Sequence, residues 1–164
     1  MDKKHLSFTG AGPFYVATIS VFAVLTLIMD YFEIIPDISS GMLRIPKIIL
    51  GILLIILAAV LWAKGALKSG ILKCVEDNRL LTSGIYAWCR NPIYSAFMFL
   101  IWGICLIPSN MLILVNLPLS YILMGIFLKP TEEKWLEELY GDEYREYCRN
   151  VNRAIPWKKH KQGK

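Results

Sequence analysis

Histidine is nearly missing from this chain: His5 and His160 are the only two, and each lies near an end. The four cysteines, Cys74, Cys89, Cys105 and Cys148, have none of the paired spacings that zinc or redox sites use, so a metal centre is not expected. Charge is absent from whole tracts. None falls within 13–29, none lies between Lys47 and Lys64, and none occurs from Pro92 to Leu128. Uncharged runs of that length exclude an ordinary soluble domain. There is no internal repeat and no low-complexity tract. Acidic residues number 13 against 18 lysines and arginines, for a net charge of +5. Membrane topology and attraction to anionic inner-leaflet lipid account for that excess, so no nucleic-acid partner is called for.

What remains is 55% hydrophobic and arranged for a bilayer. The first run is span-length, lacks a small-residue cleavage site, and is expected to stay as a helix. The second is short for a span unless Lys47 and Lys64 extend their apolar stems to the interfaces. A single helix over 92–128 would rise about 1.5 Å per residue and overshoot a hydrocarbon core of roughly 30 Å. It must therefore fold back, and Pro108, Ser109 and Asn110 are turn formers near its middle. The expected fold is an all-α integral membrane protein forming a single domain over 1–164. Its four transmembrane helices fall at about 13–32, 46–64, 92–107 and 110–128, the last two a tight hairpin, with short cytoplasmic C-terminal helices beyond. Basic residues precede the first span, crowd between the second and third, and follow the fourth, so the positive-inside rule puts both termini and segments 80–94 and 129–157 in the cytoplasm.

Within 80–94, Asn91 and Pro92 have the chemistry of a helix start, with Asn as N-cap and Pro at the first helical position. Arg90 just before them has two readings. One is an interfacial anchor for lipid headgroups. The other is an anion site, because a helix N-terminus carries unpaired N–H groups and partial positive charge.

After the fourth span, Thr131 is placed to cap a helix that Gly141 ends, and acidic residues in its first turn suit the dipole. Counted by helical period, Glu132 shares a stripe with Trp135, Leu136 and Leu139, whereas Glu133 shares the face of Glu137. Glu132 is thus expected to point inward and to pair with Arg90. Asp142 is placed to cap a second helix carrying Tyr144, Tyr147 and Cys148 on one side, and Trp157 resembles an interfacial anchor.

One ordered set of residues resembles a known family: Gly84, Tyr86, Arg90, Pro92 and Tyr94, then Glu132 and Glu133, then Gly141, Tyr144, Tyr147, Val151, Arg153, Ile155 and Pro156. It is similar to the isoprenylcysteine carboxyl methyltransferases and their relatives, the phospholipid N-methyltransferases. The resemblance implies a cytoplasm-facing pocket for S-adenosyl-L-methionine, open sideways to lipid, and a lipophilic methyl acceptor. Carried onto this chain, the cofactor-binding residues are Gly84, Tyr86, Arg90, Asn91, Pro92, Tyr94, Glu132, Glu133, Tyr144 and Tyr147. The catalytic residues are Glu132, Arg149 and Arg153. Asn91 stands where the family often has histidine, and Leu128 and Lys129 where many members have arginine.

The residues themselves fit such chemistry. Methyl transfer from a sulfonium to an ionised carboxylate needs alignment and a dry site but no general base. Arg90 and the amides after it suit the cofactor's carboxylate, Glu132 its ribose or amino group, and Tyr86, Tyr94, Tyr144 or Tyr147 its adenine or sulfonium. An amine acceptor would need Glu132 or Glu133 as base. Two alternatives stand beside this: an NADPH-dependent sterol-type reductase, and a non-enzymatic membrane scaffold in which Arg90 and Glu132 form an interfacial ion pair.

Overall fold

The computed structural model describes residues 10–34, 41–107 and 113–157, and within them the regular structure is helical. Two long helices come first, α1 (Gly12–Tyr31) and α2 (Gly41–Trp62). A π turn, Ala63–Leu67, extends α2, and a short α3 (Ile71–Glu76) follows. A 3-10 turn, Gly84–Ala87, leads into α4 (Pro92–Leu106). Next is α5 (Ile113–Leu128), which runs through a second π turn, Lys129–Glu133, into α6 (Lys134–Tyr140) and then α7 (Asp142–Asn150). The expected turn at Pro108–Asn110 lies outside the described residues.

On α1 the buried residues are Tyr15, Ile19, Ala23 and Thr26, spaced to make one stripe, while Phe14, Val21, Phe22, Val24, Leu25 and Ile28 point outward. α2 likewise exposes Ile49, Leu53, Ile56 and Val60 while burying Ala58 and Leu61. Apolar side chains on the outer face are stable only against something other than water, and lipid is the simplest candidate. Gly12–Tyr31 and Leu43–Leu67 are long and apolar enough to cross a membrane, whereas α4 is shorter.

α4 is the central helix and packs most closely on α2. The approach depends on two glycines: a Cβ on Gly103 would lie 2.6 Å from the Gly51 carbonyl oxygen, and one on Gly51 would lie 2.8 Å from that of Gly103. Small residues let the two backbones touch, as Gly51 in the apolar run suggests. Gly103→Ala is expected to cost about 1–3 kcal/mol through overpacking and to lower the melting temperature in detergent, whereas the outward-facing Val60→Ala leaves it nearly unchanged. Polar groups inside the bundle bond one another: Asn116 Nδ2 donates to Thr26 Oγ1, and Trp102 Nε1 to Ser120 Oγ at 2.7 Å.

The last segment returns to the start of α4. The Arg90 N–H donates to the Asn152 carbonyl at 2.9 Å and the Asn91 N–H to that of Arg153 at 3.1 Å, with a parallel bridge between Cys89 and Asn152. Asn91 Nδ2 also donates to the Arg153 carbonyl, so its side chain ties down the C-terminal segment and does not cap α4. Two further caps differ from expectation. Thr131 Oγ1 donates back to the Phe127 carbonyl because α5 continues through the π turn and no helix starts there. Gly141, at φ 55°, takes the cap position before α7, and Asp142 is the helix's first residue.

Candidate functional site

A cavity of about 480 Å³ opens at the end of the bundle where α1 begins, α4 begins and α5 ends. The 3-10 turn and α4 supply Tyr86, Arg90, Asn91, Pro92 and Tyr94; the second π turn and α6 supply Glu132, Trp135 and Tyr140; α7 supplies Tyr144 and Tyr147. Six aromatic side chains thus line it, beside leucines, isoleucines and the arginines Arg79 and Arg90. Tyr147 Oη donates to the Tyr86 carbonyl at 2.7 Å, locking α7 against the 3-10 turn. Burial pushes the phenols of Tyr86, Tyr144 and Tyr147 above their usual range, so all three stay protonated and polar only at their rims. Burial also pushes the Cys89 thiol up to about 11, which removes it as a nucleophile.

Glu132 faces this cavity. Its Oε1 accepts from Tyr94 Oη at 2.9 Å and from the Gly12 N–H at 3.1 Å, and no cationic side chain pairs with it among the described residues. Burial raises its pKa above the usual carboxylate range, and the two donors offset that only in part.

The expected Arg90–Glu132 pair does not form; the partner is Glu133, which the helical count places on the face of Glu137. Glu133 is buried, accepts a two-toothed bond from Arg153 at 2.7 and 2.9 Å, and lies 3.5 Å from Arg90 Nη2. The helical count itself holds: Glu132 borders the cavity with Trp135 and Leu136, and Glu133 lines the second, polar space with Glu137. What differs is that the Arg90 guanidinium reaches the Glu133 side. Arg90 Nη1 meets Cys148 Sγ, and its Nε is buried without a partner.

Behind Arg90 lies a second, polar space of about 570 Å³, lined by Glu133, Arg149 and Arg153 with Lys129, Lys134 and Arg145. Arg90 and Tyr144 border both spaces. Of the residues expected in the site, Tyr86, Arg90, Asn91, Pro92, Tyr94, Glu132, Tyr144 and Tyr147 meet around the aromatic cavity, whereas Glu133, Arg149 and Arg153 do not border it. Gly84 borders neither: at φ 62° it shapes the 3-10 turn, with open space where a Cβ would be. Sequence reasoning missed Trp135 and Tyr140 in the wall and the contribution of Gly10 and Gly12. The one available signal for the last two was the small-residue run 10–12 directly before the first span.

These features define a class: a small helical protein with bilayer-length apolar helices and, at one end of the bundle, a cavity with aromatic side chains and a carboxylate that pairs with no cationic side chain among the described residues. The phospholipid methyltransferase family model matches residues 46–143, and the chain belongs to that family. It is 32% identical to protein-S-isoprenylcysteine O-methyltransferase of Saccharomyces cerevisiae over 89% of this chain and 64% of that protein. It is 36% identical to methanethiol S-methyltransferase 1 of Bradyrhizobium diazoefficiens over 49% of this chain and 27% of that protein. The chain thus spans from about a quarter to just under two thirds of the length of these relatives. No solved structure is significantly similar to it.

Proposed function

We propose that this chain is an integral membrane methyltransferase that takes its methyl group from S-adenosyl-L-methionine and delivers it to a lipophilic acceptor at the cytoplasmic face, its four apolar helices crossing the bilayer. The observation that carries the reading is Glu132: a partly buried carboxylate with two neutral donors and, among the described residues, no paired cation, set among aromatic rings in a cavity open enough for a small ligand. Such a site favours a cationic, partly aromatic ligand, because the carboxylate gains a charge partner and the ring faces attract a cation. S-adenosyl-L-methionine has an ammonium, a sulfonium and an adenine, so the residues present fit it.

When bound, the cofactor supplies an electrophilic methyl group. The chain's own residues do the rest. Glu132, held by Tyr94 and the Gly12 amide, binds the amino group or ribose; Tyr86, Tyr144 and Tyr147 flank the aromatic and cationic parts; the free Nε of Arg90 offers a donor to a carboxylate. Arg153 and Glu133 fix Arg90 from behind, and Arg149 stands in the same polar space. The relatives are named for an isoprenylcysteine carboxyl and for methanethiol. A carboxylate is already ionised and attacks without a general base, so a lining with no histidine among the described residues is adequate for it, whereas a thiol acceptor must first give up its proton. The scaffold alternative loses its premise, because Arg90 and Glu132 do not pair.

The protein purified in detergent is expected to melt higher with S-adenosyl-L-homocysteine, by the equivalent of about 2.7 kcal/mol at a hundredfold excess over Kd, and not with NADPH. A shift with NADPH and none with the nucleoside ligand would sink the reading.

A further inference from the structure

The family match begins at residue 46, yet the aromatic cavity is closed on one side by residues far upstream of it. Gly10 borders the cavity, the Gly12 amide donates to Glu132 Oε1, and helix α1 starts at that amide. A side chain at either position would push the end of Glu132 or Tyr94 aside. A Cβ on Gly10 would run into the carboxylate of Glu132, and one on Gly12 into the phenol of Tyr94, the two groups already bonded to each other. Neither glycine has a left-handed backbone, so conformational freedom does not explain them; close approach does.

We propose that Gly10, Ala11 and Gly12 form a strap that positions Glu132 for the cofactor, with Gly10 and Gly12 acting as positioning residues. This rests on the cofactor reading above. The physical argument is one of rotamer choice. Unrestrained, a glutamate side chain at the end of a π turn has three torsions free, and it would turn toward water or toward the guanidinium groups that hold Glu133. The Gly12 amide and the Tyr94 hydroxyl converge on the same oxygen, Oε1, and hold it at the cavity wall. The second oxygen, Oε2, stays available for a ligand. The amide can reach that oxygen only if the chain passes over Glu132 and Tyr94 with no side chains in between, which is what the glycine spacing provides.

The test uses the full chain in detergent, with S-adenosyl-L-homocysteine as the probe. Gly10→Ala and Gly12→Ala are each expected to raise Kd about tenfold or more, with the ligand-free melting temperature close to that of the parent. Gly103→Ala, a tight glycine in the α2–α4 interface away from the cavity, serves as the structural comparator: it lowers the melting temperature and leaves Kd unchanged. Gly10→Ala combined with Glu132→Asp, whose shorter side chain makes room for the methyl group, is expected to recover part of the lost affinity. Hydrogen exchange on the parent protein gives a readout independent of any variant: a peptide covering residues 10–15 should exchange more slowly once ligand is bound. Parent-like Kd in both glycine variants, or no change in exchange at 10–15, overturns the strap. If the parent itself binds no S-adenosyl-L-homocysteine, the cofactor reading falls and the strap falls with it.

Discussion

Glu132→Gln is expected to weaken S-adenosyl-L-methionine binding by about two- to thirtyfold while raising the stability of the ligand-free protein. The change keeps the shape of the side chain and its carbonyl-type acceptor for Tyr94 and the Gly12 amide, and removes only the charge. A hydrogen bond to a charged partner is worth about 1.5–3 kcal/mol, against roughly 1 for a neutral one, and the difference sets the affinity range. The stability gain follows from burial. Because the folded pKa of Glu132 lies above its unfolded value, its contribution is fully present below the unfolded pKa of about 4.3 and is lost as pH rises through the folded value. Melting curves of the ligand-free protein should therefore fall across that window in the parent and flatten in Glu132→Gln. Cofactor affinity in the parent should rise over the same window, because the ionised carboxylate is the form that attracts a cation. Titration calorimetry and thermal melts at several pH values check both; an unchanged affinity in Glu132→Gln would remove Glu132 from the site.

Glu133→Gln is expected to act on the fold, and strongly. Its carboxylate neutralises Arg153 and faces Arg90, whose side chains are 16% and 9% exposed. Removing one partner from a buried ion pair costs about 3–5 kcal/mol, because the remaining charges are left desolvated and uncompensated. For a chain of this size that corresponds to a melting-temperature loss on the order of 10 °C. The Arg153 carbonyl also accepts the Asn91 amide, so loosening this cluster should loosen the return of the C-terminal segment onto the start of α4. Replacing both members, Glu133→Met with Arg153→Met, is expected to destabilise less than Glu133→Gln alone, since no unpaired charge stays behind. A melting temperature within about 2 °C of the parent for Glu133→Gln would show the cluster to be dispensable.

The pair of adjacent glutamates shows how far the sequence could be read. That Glu132 points inward with Trp135 and Leu136, and that Glu133 shares the face of Glu137, was legible from the helical period. The partner of Arg90 was not. An arginine side chain is long, and which of two adjacent carboxylates it reaches depends on how the start of α4 sits against the end of α5. The aromatic wall was legible in Tyr86, Tyr94, Tyr144 and Tyr147, which follow recognisable motifs, and illegible in Trp135 and Tyr140, which sit in a charged run with no motif around them.

The sequence by itself determined the helices, because uncharged apolar runs bounded by lysine, proline and acidic residues leave the backbone no other way to satisfy its hydrogen bonds in lipid. It also pointed to 80–94 and 129–157, where polar and aromatic residues adjoin the apolar ends, and residues of both segments line the cavity. Only the tertiary structure decided how those segments meet. Gly12 and Glu132 are 120 residues apart, and Asn91 reaches the Arg153 carbonyl across 62. Contacts at such separations leave no periodic trace in a single sequence, since they depend on how α1, α4 and α5 pack.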